Sequence, residues 1–372
     1  MPISRIKTDG IQDDAVTNAK VADSAVTTAN IADSAVNSAK IGVDVIAAED
    51  LAANSVTVSE ITNGAVTSAK LDTNITIAGN FDVSSGTIKL DGNYPVGTGN
   101  VALGDTALDS VAGGGTNNTA IGANAGTAIS TGDRNTAVGF DSLKTVTTGN
   151  HNTAVGYQAL ELNTGNNNTA VGDQALEANT SGANNSAVGD DALVSNTTGA
   201  SNVAMGASAL GANTTANNSV AVGYNALLVN TTGDTNVAVG KDSMKANTTG
   251  TNNTALGPRT LQSNTTAANN VAVGDLALGD NTTASSNTAI GTNALRAYQT
   301  GGDNVAVGMN AGYTLNGNGN CTFLGRGAGF DTTGGNNTFV GYASGAGVTS
   351  GAKNTIVGLY NGNQNGLDIR TS

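Results

Sequence analysis

The sequence predicts an all-β fold: a parallel β-roll or solenoid of about sixteen coils, preceded by a slender N-terminal shaft. Three observations carry this. A pentapeptide typified by Asn-Thr-Ala-Val-Gly returns sixteen times between residues 100 and 362. Its spacing is close to 17 residues throughout. The 372 residues include 51 glycines, seven tyrosines, five phenylalanines and no tryptophan. A compact core leans on large apolar side chains, so a chain this poor in aromatics must draw stability from many small, equivalent contacts between neighbouring units.

Within the N-terminal region, residues 1–71, the chain repeats every ten residues from Ile11 on, with aliphatics at Ile11, Val21, Ile31, Ile41, Leu51, Ile61 and Leu71 and a second set five residues later, from Val16 to Val66. Five residues turn a helix by about 140° beyond a full circle, so the two sets hold no common helical stripe and fit no heptad. Extended Ala-Val-Thr segments alternating with turns at Asp13-Asp14, Asp23-Ser24, Asp33-Ser34 and Asn63-Gly64 fit better. One such chain has little to bury, which predicts a shaft in which several chains share an aliphatic axis. Residues 72–99 read as a β connector, with short strands at Asn74-Ile-Thr-Ile-Ala and Thr87-Ile-Lys-Leu.

The second repeat occupies residues 100–362. Its glycines run from Gly104 and Gly122 to Gly341 and Gly358, and twelve of the fifteen intervals are 17 residues. Regularity of this kind gives each unit an equivalent place in a stack. The residue before each glycine is Val, Ile, Leu or Met, and the residue three before is Val, Thr or Ser. Because strand side chains alternate, these two share one face and the intervening residue, usually Ala, takes the other. Both faces are expected to be packed. Leu or Met four residues after the glycine in eleven units, such as Leu160, Leu227 and Met244, is expected to form the second wall of the coil interior. The Asn-Thr-Thr-Gly stretch reads as turn chemistry. Residues 363–372 read as an outgoing strand toward a distal segment, since a stack normally carries a terminal cap.

Asn stands four residues before the glycine in fourteen units, with Ser219 and Cys321 as the exceptions. Asn135, Asn152, Asn168, Asn185, Asn202, Asn236, Asn253, Asn270, Asn287 and Asn304 are expected to form a structural ladder of stacked amides.

Chemistry is sparse. The single cysteine, Cys321, and single histidine, His151, allow no intrachain disulfide, no Cys/His zinc cluster and no spaced Cys-His dyad. Gly325-Arg-Gly-Ala-Gly329 sits inside a roll unit with no helix to follow, and Gly240-Lys-Asp-Ser lacks the phosphate-loop spacing. No catalytic residue, cofactor site or metal site is expected, and the chain is read as not an enzyme. A net charge of −13 argues against nucleic acid and anionic membrane as partners. The first ten residues hold no apolar signal stretch, and no membrane insertion is expected.

The segment Asn152-Thr-Ala-Val-Gly-Tyr-Gln-Ala-Leu160, like Asn236-Val-Ala-Val-Gly240, resembles the head repeats of trimeric autotransporter adhesins over about residues 100–360. That resemblance implies a left-handed parallel β-roll with three chains side by side, although the unit here is longer than the family's. The decapeptide run from Asp23 to Val36, followed by such rolls, is similar to phage tail fibre and virion structural proteins, particularly of marine and cyanobacterial phages, over nearly the whole chain. This second resemblance implies a homotrimer made in the host cytoplasm and built into the virion. Residues 1–71 would attach it to the tail, baseplate or another virion protein, and the roll would project toward a host surface receptor, expected to be a glycan. Rival expectations are a bacterial trimeric surface adhesin head, a capsid or neck fibre and, more remotely, an ice-binding solenoid suggested by the paired threonines 197–198, 214–215, 231–232, 248–249 and 265–266.

Seven of the twelve aromatics lie beyond residue 297. Tyr313, Phe330, Tyr342 and Tyr360 are the candidate receptor or glycan contacts. Phe323 and Phe339 replace the usual Ala two residues before the glycine, which predicts a wider chain separation or a different chain interface there.

Overall fold

The computed structural model describes residues 98–364, apart from 112, 113, 299, 316 and 317, together with 367–368. The chain divides into two units, residues 1–87 and 88–372. The decapeptide shaft over 1–71 lies outside the described residues, as does the connector over 72–99 except for Thr98 and Gly99.

Among the described residues there is no helix. Sixteen three-residue strands, from β1 (Val101–Leu103) to β16 (Thr355–Val357), form one sheet in strict chain order, each parallel to the next and in register. This is a parallel β-solenoid of about fifteen turns, one per repeat, as the 17-residue period predicts. With neighbouring strands about 4.8 Å apart, the sheet runs for about 72 Å. The last two strands, β17 (Asn363–Gln364) and β18 (Leu367–Asp368), stand apart and pair antiparallel. Two short paired strands thus stand where a single outgoing strand was expected.

Each strand is short because the repeat glycine ends it. That glycine has φ between +107° and +143° in all sixteen units, a conformation that L side chains rarely adopt. The chain then turns inward. Leu or Met four residues on has φ of 47–55° in all eleven units that carry it, an unusual state for a bulky residue. Each of these side chains is buried. Burial against the equivalent residue of the next coil offsets the backbone cost, which is about 1–2 kcal/mol per residue.

Only one strand face is packed within a single chain. The central Ala of each strand is buried from Ala120 to Ala306, whereas the residue before the glycine stands outside, at 48% for Leu103, 47% for Met205 and 40% for Ile290. The expectation of two packed faces therefore holds for the alanine face alone. The lumen already holds the Leu column and two columns of Asn, and the space left at the strand suits a methyl group.

Phe323 in β14 (Thr322–Leu324) and Phe339 in β15 (Thr338–Val340) consequently point into the coil and are fully buried. Their bulk does not widen a chain-to-chain face, as the sequence had suggested, because the alanine face is interior. Glycine replaces the inward Leu in the same coils, at Gly329 and Gly345, and in the coil before them, at Gly312: a Cβ on Gly312 would lie 2.7 Å from the Phe323 ring, and Gly329 and Gly345 lie just as close to Phe323 and Phe339. Interior volume is kept by exchanging Ala plus Leu for Phe plus Gly.

Two columns of Asn run through the lumen. The expected one, four residues before the glycine, is buried from Asn118 to Asn304. Its amides bond mainly to backbone. Asn100 Oδ1 accepts the Asn118 N–H at 2.8 Å, while Asn118 Nδ2 donates to the Gly132 carbonyl at 2.8 Å, and the pattern recurs in later coils. Ser219 and Cys321 keep the column connected, since the N–H groups of Asn236 and Asn337 donate to their Oγ and Sγ. In the last coil, Asn354 Nδ2 is buried without an acceptor among the described residues.

The second column arises from the Asn of Asn-Thr-Thr-Gly, which sequence reasoning assigned to the turn. Asn163, Asn179, Asn196, Asn213, Asn230, Asn247, Asn264 and Asn281 are all fully buried. Here amide meets amide: Asn196 Nδ2 donates to Asn179 Oδ1, and Asn213 Nδ2 to Asn196 Oδ1, both at 2.7 Å. Val111, Ile129 and Val146 occupy the same position before this run and Tyr298 and Leu315 after it, all buried.

Tyr298 closes the amide run. Its Oη accepts from Asn304 Nδ2 at 2.8 Å, and burial pushes its phenol up to about 12. Such a group stabilises the fold fully below the unfolded tyrosine value of about 10 and loses that contribution as pH rises from there through about 12. Tyr298→Phe should therefore flatten the alkaline end of the stability curve while costing about 1 kcal/mol at neutral pH. Denaturant titrations of both proteins between pH 8 and pH 12 read this directly.

Candidate binding surfaces

Two surfaces emerge from this geometry. The first is the outward strand face. Across all sixteen strands its positions are filled by Val, Ile, Leu, Met, Thr or Ser, and none is charged. The turns elsewhere carry the charge. All-parallel sheets occur almost only where both faces are covered, and a long uncharged strip rich in Val, Ile and Leu is a candidate contact surface.

The second surface lies on the turn that follows the strand, near the C-terminal end. A cleft of about 220 Å³ is lined by Asn310, Arg326, Gly327, Phe330, Asp331, Tyr342, Ala343 and Ala346. Arg326 and Tyr342 each directly follow a repeat glycine, so stacking places them one above the other. The Arg326 guanidinium lies 5.8 Å from the Tyr342 ring centroid, within cation–π range. Phe330 is backed by Tyr313 of the preceding coil, the rings parallel to within 7° and 5.2 Å apart. Tyr342 is 60% exposed.

The four aromatic candidates separate accordingly. Phe330 and Tyr342 line the cleft, Tyr313 supports Phe330 from behind, and Tyr360 is partly buried against the core. Arg326, Asp331 and Asn310 were missed, because they converge only when residues 16 or 17 apart are stacked. A second, aliphatic depression of about 280 Å³ lies at mid-roll, where Gly211 leaves a gap between Val194 and Leu228.

Charge is uneven along this turn face. Glu161, Asp173, Glu177, Asp190 and Asp191 crowd the coils around residues 161–191. Partial burial, then the neighbouring carboxylates, push Glu177 and Asp191 above their ordinary values. Lys144 answers part of this charge through Asp141 at 2.9 Å and Glu161 at 3.3 Å, which hold its ammonium above the usual lysine range. Among the described residues no group of His, Cys, Asp and Glu is placed to hold a metal ion. His151 is exposed, with Nε2 at 3.1 Å from Arg134 Nη1.

The threonine pairs divide their work. The hydroxyls of Thr197, Thr214, Thr231, Thr248 and Thr265 donate to carbonyls of the following coil, and the second member of each pair is exposed. No protein-family model matches the chain, and no curated protein is significantly similar to it.

Proposed function

We propose that the chain is a structural component of a phage tail fibre, a homotrimeric rod that projects from the virion and helps attach it to the host surface. The observation that carries this is the uncharged outward face of sixteen parallel strands, which gives copies of the chain a continuous surface along which to associate. A rod so covered resists bending and holds its far end at a set distance from its anchor. The anchor would be residues 1–71, whose decapeptide pattern resembles that of phage fibre proteins. The aromatic cleft near the C-terminal end would meet a surface glycan.

A bacterial trimeric adhesin head would use the same rod, and a capsid or neck fibre would differ only in its point of attachment. Immunogold electron microscopy with antibodies raised against the roll separates these readings. Label on appendages projecting from phage tails is the expected result. Label on the capsid or neck would move the fibre to that site, and label confined to bacterial envelopes would overturn the virion reading.

A further inference from the structure

We propose that the cleft formed by Arg326, Phe330 and Tyr342 takes a carboxylate-bearing sugar, with Arg326 selecting the charge. This rests on the reading that the aromatic end of the roll meets a glycan, and adds the class of glycan.

Three features of the cleft point the same way. The first is its walls. Phe330, held by the Tyr313 stack, and the exposed Tyr342 offer flat apolar surfaces, and the C–H face of a sugar ring packs against such surfaces. Gly327, Ala343 and Ala346 keep the space between them open. At about 220 Å³ the cleft is smaller than a pocket for a drug-sized ligand, which suits one ring of a longer saccharide.

The second is the state of Arg326. Lys144 pairs with Asp141 and Glu161, Lys245 with Asp242, Arg259 with Asp275 and Arg296 with Asp280, whereas Lys241, which like Arg326 directly follows a repeat glycine, makes no ion pair among the described residues. Among the described residues Arg326 has no such pair and lies over the Tyr342 ring instead. Its planar fork matches a carboxylate bidentately, the arrangement in which a guanidinium is most selective.

The third is the rim. The Asp331 carboxylate accepts hydrogen bonds from hydroxyl groups, and Asn310, whose Oδ1 accepts from Asn293 at 3.2 Å, keeps its amide N–H groups as donors. A polyhydroxylated ring needs both.

The test is calorimetric titration of the full chain with two oligosaccharide pairs. One is a hexuronic acid oligomer and its carboxyl-reduced counterpart; the other is a sialylated oligosaccharide and its carboxyl-reduced counterpart. The carboxylated member of at least one pair should bind about tenfold tighter, and the responding pair distinguishes an internal uronic acid from a terminal sugar acid. Arg326→Gln should erase that preference, and Tyr342→Ala should weaken binding of both members. Tyr157→Ala, in the same column near the N-terminal end, should change neither, and thermal melts confirm that each variant is folded. Equal or tighter binding of the reduced member in both pairs, or a preference that survives Arg326→Gln, would overturn the acidic-sugar assignment while leaving glycan contact standing. Failure of the folded wild-type chain to bind any of the four would overturn glycan contact as well.

Discussion

Gly223→Ala should destabilise the middle of the roll by about 4 kcal/mol. Gly223 has φ +131°, and a Cβ there would lie 2.7 Å from both the carbonyl carbon and the carbonyl oxygen of Gly240 in the next coil. The obstacle is backbone, so no side chain can rotate away. A conformation reserved for glycine costs an L residue about 1–3 kcal/mol, and forcing an extra carbon into a packed site costs about 1–3 kcal/mol more. Relief requires the coils to separate, which breaks the bonds from the Gly223 N–H to the Met205 carbonyl and from the Gly240 N–H to the Val222 carbonyl, both 2.8 Å. Gly211→Ala is the matched control. Gly211 carries no positive φ, and its added Cβ would lie 3.3 Å from the Ser208 carbonyl oxygen of its own turn and 3.5 Å from Leu228, a slight crowding with no clash against the next coil's backbone. That change should stay within about 1 kcal/mol. Hydrogen exchange resolved by peptide is the suitable readout, because a stack of repeats can open locally without unfolding as a whole. Protection should fall around residues 205–240 in the first variant only.

The second large effect is expected inside the amide ladder. Asn213→Leu keeps the branched shape but removes both links of a buried chain: Asn213 Nδ2 donates to Asn196 Oδ1 at 2.7 Å, and Asn213 Oδ1 accepts from Asn230 Nδ2 at 3.3 Å. Neither neighbour can turn to water. An unsatisfied buried polar group costs about 1–3 kcal/mol, so the variant should lose about 3 kcal/mol by denaturant titration. Replacing Asn196, Asn213 and Asn230 together by leucine should cost less than three times that, because fewer orphaned partners remain per residue changed. The aliphatic residues Val146 and Leu315 already occupy this position in other coils, both fully buried. A triple variant losing three times the single cost would show that the side-chain chemistry of the column, and not its continuity, sets its contribution.

Much of this architecture was legible from spacing. The glycine period, the inward Leu column and the Asn column before the strand follow from counting, since equivalent positions in a repeat must have equivalent surroundings. Three features were not legible, each for a physical reason. Alternation shows that Ala and Val occupy opposite strand faces but not which face is inside. Greater hydrophobicity favours Val, whereas the space left by Leu and two Asn columns admits only Ala, until Gly312, Gly329 and Gly345 make room for Phe323 and Phe339. The second ladder was hidden because Asn before Thr-Thr-Gly has the chemistry of a turn; what places it inside is stacking on its equivalent in the next coil. In the cleft, Phe330 and Tyr342 stood out as aromatics, but Arg326 and Asp331 looked like ordinary turn residues until adjacent coils brought them together.

In the proposed fibre the outward strand face is covered by copies of the chain, and that covering is the point most open to direct measurement. Sedimentation equilibrium of the full chain at micromolar concentration gives the assembled mass without regard to shape. Three times 36.4 kDa, about 109 kDa, is the predicted result. A folded species at 36.4 kDa, with its Val, Ile and Leu face left to water, would contradict it.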